Sequence, residues 1–189
     1  MNFLGNFFWK KKPKKSKYLP EQREPIEISF VKKFTSNGGK FIYCENEEEL
    51  KINFQNILIE NKISISELFT NEKSIVDYFQ LSTDIFDPKA MVINCEFMVS
   101  DQGSIMVSNH QILNKKLDQL PEILIIIAKT SDFKNDVSDA MSAIKNKYSK
   151  SIPSNITNIH PTNSKINSNF ISYKRTSKEL YLLLRDVSK

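Results

Sequence analysis

Glycine, cysteine and histidine are all scarce in this chain of 189 residues, which holds four Gly, two Cys and two His. Four glycines leave little room for a glycine-rich phosphate cradle. The sequence contains no Walker loop, no dinucleotide fingerprint and no Gly-x-Ser-x-Gly elbow, which excludes the common phosphoryl-transfer and hydrolase designs. Cys44 and Cys95 form no Cys-x-x-Cys pair, and only His110 and His160 stand beside them. Neither a structural zinc site nor an iron–sulfur site can be assembled from these residues. No metal ligand set and no cofactor site is identified in this chain. Each cysteine closes an apolar run and reads as a buried free thiol. That usage fits a reducing compartment and a cytoplasmic location.

Acid is also missing, but only locally. Residues 1–17 hold six lysines (Lys10, Lys11, Lys12, Lys14, Lys15 and Lys17) and no Asp or Glu. Subtracting these six from the net charge of +5 leaves −1 for the rest. The body therefore has no domain-wide basic stripe, and a nucleic-acid partner is not expected. The tail places Phe3, Leu4, Phe7, Phe8 and Trp9 before its lysines, the reverse of a secretory signal. It is too short in apolar residues to span a bilayer. Two readings stand for it: a mobile basic tail over residues 1–20, or a membrane-surface contact through residues 1–17. Residues 21–189 read as one domain, with an apolar content of 40% that is ordinary for a globular chain.

Along that domain, helical and strand periods alternate. Ile26, Phe30 and Phe34 line a helix face that Gly38-Gly39 ends. Lys40–Cys44 reads as a buried strand. Asn46, with Glu49 three residues on, caps a helix with Leu50, Phe54, Ile57 and Leu58 on its apolar face. A short strand is expected over Ile63–Ile65, a short helix around Ile75, Tyr78 and Phe79, and another near residues 112–119. Glu122–Ala128 is the most apolar run and suits a parallel strand buried on both faces. Ser131 is expected to cap a helix carrying Phe133, Val137, Ala140, Met141, Ile144 and Tyr148. A polar loop from Ile152 to Asn169 holds a short strand at Ile156–His160, and Glu179–Leu184 is the last strand. The alternation predicts an α/β fold with a mostly parallel sheet flanked by helices.

The stretch Met91–Ser108 organises the rest. Met91, Ile93, Cys95, Phe97 and Val99 fall on one face at period two, with Asn94 and Glu96 on the other. Polar side chains in an apolar strand need partners, because an unpaired buried polar group costs roughly 1–3 kcal/mol. The turn Ser100-Asp101-Gln102-Gly103-Ser104 then carries one of the four glycines. It reads either as a tight turn between core strands or as a ligand-facing acidic turn.

These residues resemble a known family. The order Phe30…Phe34…Gly38-Gly39, a strand, then Glu47-Glu48-Glu49-Leu50 is similar to the start of the LUD domain, the lactate-utilisation protein C family. The turn at residues 100–104 resembles its signature of small residue, acid, threonine, glycine and threonine or serine, with Gln102 in place of the threonine. Leu120-Pro121 with the strand Ile123–Ile127, and Lys178–Leu184, resemble two later blocks. Asn158–Ser164 and Tyr173–Ser177 depart from the family's glycine-containing turns. The resemblance implies a fold like that of ribose-phosphate isomerases and CoA transferases. It also implies a component of a lactate-oxidation system that binds a small anionic ligand beside a separate iron–sulfur subunit. Glu96, Asp101, Gln102, Gly103 and Ser104 would form one wall of that site, and His160, Lys174 and Arg175 the other. No catalytic residue is named by the sequence. The alternative is a non-catalytic interaction module that keeps the fold without the site. A pocket at the Gly103 face, or a plug of Phe, Tyr or Met there, separates the two.

Overall fold

The computed structural model describes residues 24–81, 85, 87–161 and 178–186. The basic tail, the boundary at Glu21, and both Lys174 and Arg175 lie outside the described residues. In chain order the elements are α1 (Ile26–Ser36), β1 (Lys40–Cys44), α2 (Glu47–Asn61), β2 (Leu68–Phe69), α3 (Lys73–Phe79), β3 (Ala90–Asn94), β4 (Phe97–Val99), β5 (Ser104–Val107) and α4 (Asn109–Ile112). They continue with β6 (Ile123–Lys129), β7 (Phe133–Lys134), α5 (Val137–Lys147), β8 (Thr157–Ile159) and β9 (Glu179–Arg185).

Five strands form a parallel sheet in the order β1-β9-β6-β3-β2. Period two divides their side chains between two cores. Met91, Ile93, Leu124, Ile126, Leu180 and Leu182 face α1 and a second sheet. Val92, Ile125, Tyr181 and Leu183 face α2 and α3, where Leu50, Phe54, Ile57 and Leu58 meet them. The second sheet has the order β7-β4-β5-β8. Its outer face, with Phe97, Val99 and Met106, is covered by Ala140 and Ile144 of α5. The expected α/β class, the mostly parallel sheet and the buried β6 at its centre are therefore present.

Local chemistry sets the boundaries. α1 ends where Gly38 takes φ +99° and the Gly39 N–H reaches Phe34 O at 2.9 Å. Asn46 caps α2 by accepting from Glu49 N at 2.9 Å. The Glu49 carboxylate accepts in return from Glu45 N, one residue earlier than a capping box would place it.

Four expectations need correction. The strand Met91–Val99 is two strands, because the chain leaves the parallel sheet after Asn94 and enters the second sheet at Phe97. Ile63–Ile65 is not a strand. Ser64 and Glu67 bond to each other and close a 3-10 turn over Ile65–Glu67, which outcompetes extension. The helix expected near 112–119 is α4, stopped by Leu113 at φ +57°, and a separate 3-10 turn over Leu117–Gln119. Asp136, not Ser131, caps α5. Phe133 lies instead in β7, paired with Met98 and packed edge-on to Phe30 at 5.4 Å between ring centroids.

Candidate functional site

The early departure of the chain from the parallel sheet opens a crevice. Asn94 is the last residue of β3 and pairs with Ile127. β6 and β9 run on to Lys129 and Arg185, which are register partners. Among the described residues no strand lies beside Lys129 on the β3 side. A cavity of about 530 Å³ fills that place at the carboxyl ends of the strands, where open α/β sheets put their ligands. Period two aims Asn94, Lys129 and Arg185 toward the α2/α3 face, since Val92, Ile127 and Leu183 pack there.

The floor is built on Glu96, whose side chain is fully buried. Its carboxylate accepts from Ser108 Oγ at 2.8 Å, Lys147 Nζ at 2.9 Å, Tyr148 OH at 3.1 Å and Gln111 Nε2 at 3.2 Å. His110 Nδ1 stands 3.7 Å away. Residues His110, Gln111, Lys147 and Tyr148 line the cavity, and Glu96 holds three of these side chains, Gln111, Lys147 and Tyr148, by hydrogen bonds. Burial pushes the Glu96 carboxyl up, but the Lys147 ammonium and the Ser108 and Gln111 donors outweigh it and hold it below the usual value. Burial pulls the Lys147 ammonium down, and the bond to Glu96 more than restores it.

Glu72 faces the cavity from the start of α3. Its carboxylate accepts from Asn94 N at 2.6 Å and Asn94 Nδ2 at 2.8 Å. Burial raises its pKa despite these donors, with the Glu96 charge adding to the rise. The polar Asn94 in an apolar strand thus has its partner. The two carboxyls are driven in opposite directions by their surroundings, a feature of sites that handle protons.

A raised carboxyl pKa means that the native state holds its proton more tightly than the unfolded chain does. The stability this gives is complete below the unfolded value, about 4.3, and is lost as pH rises through the folded value. At pH 7 the ionised Glu72 therefore costs stability. Glu72→Gln keeps the shape and one acceptor, and is expected to melt higher than the parent at pH 7 and level with it near pH 4. Equal melting temperatures at both values would show that Glu72 is ionised at no cost.

Of the residues singled out in the sequence, Glu96 lies behind this cavity, bonded to three of the side chains that line it. Asp101, Gln102 and Gly103 are at the tip of the β4–β5 hairpin, docked on α1. Lys33 Nζ donates to Asp101 O at 2.8 Å and Asn37 Nδ2 to Gln102 O at 3.3 Å. Gly103 has φ +60°, and a Cβ there would meet Phe34 N at 2.5 Å. The tip faces a helix rather than a cavity. Ser104 is fully buried, and its hydroxyl has no hydrogen-bond partner among the described residues. His160 is exposed beyond β8 and does not line the cavity. The sequence reading missed Glu72, Lys129, Lys147 and Arg185. A usable signal exists for two of them: Lys129 and Arg185 are the first charges after the apolar runs of adjacent parallel strands.

Among the described residues no group of three or more His, Cys, Asp and Glu is placed to hold a metal ion. Cys44 and Cys95 are free and buried, and burial raises both thiols. No described helix is long and apolar enough to cross a membrane.

Comparison with known proteins agrees with the fold. A crystal structure of a DUF162 family protein from Deinococcus radiodurans superposes with a TM-score of 0.60 at 13% identity, covering 85% of this chain and 96% of that one. Identity that low carries the architecture alone. Comparison with curated proteins finds no match. The LUD domain model matches residues 28–184, from α1 through all but the last residue of β9, and the chain belongs to the LUD domain family.

Proposed function

We propose that this LUD domain binds a small anionic ligand in the cavity at the carboxyl ends of β3, β6 and β9. The observation that carries this is the Lys129–Arg185 pair. The two cations occupy facing register positions on neighbouring strands, point to the same side and line one cavity. Neighbouring strands are about 4.8 Å apart, close enough for two long cationic side chains to converge on one carboxylate or phosphate. Arg185 is steadied by Glu47 at 2.5 Å, while Lys129 has no ion pair among the described residues. The lactate-utilisation role implied by the family resemblance fits an acid of this kind, with the domain acting beside a separate iron–sulfur subunit. A fold like that of ribose-phosphate isomerases and CoA transferases, which the family resemblance implies, would suit an anionic small molecule as well.

Thermal stabilisation by lactate, phosphate, CoA and nucleotides tests the reading, because a ligand that binds only the native state raises its melting temperature. At least one of these anions is expected to stabilise the protein. Lys129→Gln is expected to weaken that ligand about tenfold, the loss of roughly 1.4 kcal/mol, with Lys129→Arg close to the parent. Should no anion stabilise the protein at millimolar concentration, the interaction-module reading replaces this one. The docked Gly103 face already agrees with a structural role for that turn.

A further inference from the structure

The cavity is larger than a three-carbon acid and its two sides differ in chemistry. At about 530 Å³ it is the size of sites that take drug-sized or cofactor-sized molecules. It equals the liquid volume of roughly eighteen waters at about 30 Å³ each. On the second-sheet side it is polar, with His110, Gln111, Lys147 and Tyr148. On the α2/α3 side Leu50, Ile75, Tyr78 and Phe79 form an apolar wall, with Glu72 and Ser74 at the start of α3 as its polar edge. That wall is anchored from behind. Phe79 packs on Phe54 at 4.1 Å and against Tyr78 at 4.6 Å between ring centroids, in an edge-on arrangement with Tyr78. Lys51 sits over the Tyr78 ring at 5.0 Å, and Tyr78 OH donates to Glu47 O at 3.4 Å. Two partly buried aromatic rings are therefore held against open space, beside the Lys129–Arg185 pair.

We infer that the ligand is an amphiphilic acid: an anionic head on Lys129 and Arg185, joined to an aromatic or similarly flat apolar body that lies on Tyr78 and Phe79. This rests on the anion-site reading and narrows it. A hydrophilic three-carbon acid alone satisfies the cations but leaves the apolar wall wet. A flat body removes that wall from water and gains ring–ring contact.

The test compares L-lactate with L-3-phenyllactate, which share the hydroxy-acid head and differ by the phenyl ring. Titration calorimetry on the full chain is expected to give at least tenfold tighter binding for phenyllactate. Tyr78→Ser is expected to shrink the preference for phenyllactate several-fold, and Tyr78→Phe to preserve it. Circular dichroism on each variant separates loss of the wall from loss of the fold. Lys129→Gln is expected to weaken both acids together. Equal affinities for the two acids overturn this inference and leave the anion site standing. Phenyllactate binding that ignores both Lys129→Gln and Tyr78→Ser overturns it as well, since the molecule then sits elsewhere. Binding of neither acid overturns the hydroxy-acid form of the anion reading and this inference with it.

Discussion

Glu96→Ala is expected to lower stability by about 3 kcal/mol. Removing one partner of a buried ion pair typically costs about 3–5 kcal/mol, because the other charge is left without compensation. Here the Lys147 side chain is 48% exposed and can turn to water, which places the loss at the low end. Ser108, Gln111 and Tyr148 lose an acceptor at the same time. In a domain of this size about 3 kcal/mol corresponds to roughly 6–12 °C in melting temperature. Glu96→Gln keeps a carbonyl acceptor and should lose less. The pH dependence has a definite sign. A carboxyl held below its ordinary value contributes stability that is present above the unfolded pKa, about 4.3, and is lost as pH falls through the folded one. The parent should therefore lose stability below about pH 4 in a way that Glu96→Gln does not, the opposite sense to Glu72. Urea denaturation at pH 7 and pH 3.5 measures both effects. A loss under about 1 kcal/mol for Glu96→Ala would mean that water already reaches the carboxylate.

Gly103→Val is the second large effect, and its target is the fold rather than the ligand. The residue has φ +60°, which costs a side-chain-bearing residue about 1–2 kcal/mol. Its Cβ would lie 2.5 Å from Phe34 N and 2.7 Å from the Lys33 carbonyl carbon. Both are backbone atoms of a helix and cannot swing aside, so relief requires the hairpin tip to lift off α1. Overpacking of this kind adds about 1–3 kcal/mol. The expected sum is about 3 kcal/mol, with loss of the Lys33 and Asn37 bonds to the tip. Binding in the cavity should be unchanged in whatever fraction remains folded. If Gly103→Val weakened an identified ligand while leaving the melting temperature alone, the turn would belong to the site after all.

The fold was legible in the sequence where one physical term dominated. Glu122–Ala128 suited a strand covered on both sides, and Ile26, Phe30 and Phe34 fell on one helix face. Legibility failed where two local terms competed. Ser64 and Glu67 bonded to each other and closed a turn inside what reads as a strand. The period-two stripe from Met91 to Val99 ran unbroken through a change of sheet, because residues on both sides of Cys95 are buried for different reasons. That hidden break is also why most of the site was missed. The cavity exists because β3 stops at Asn94, and nothing in the pattern marks that stop. Glu96 stood out as polar among apolar neighbours. Lys147 and Glu72 did not, since charges on helices are ordinary until a third element brings them together. The glycine of the hairpin was rightly singled out as special, but the backbone it approaches is that of helix α1.

The position of β9 between β1 and β6 has a kinetic consequence. Lys40 of β1 pairs with Tyr181, 141 positions later. Until residues 179–185 have left the ribosome, β1 has no neighbour in its sheet and β6 offers an open edge. Closing so long a loop must precede any reward from the contacts it makes, which slows folding. For that interval Phe41, Ile42 and the Ile123–Ala128 run are exposed to other chains, a condition that invites aggregation. Completion of the parallel sheet is thus expected to wait until synthesis has passed residue 185, with β1 and the β9 edge of β6 unpaired up to that point.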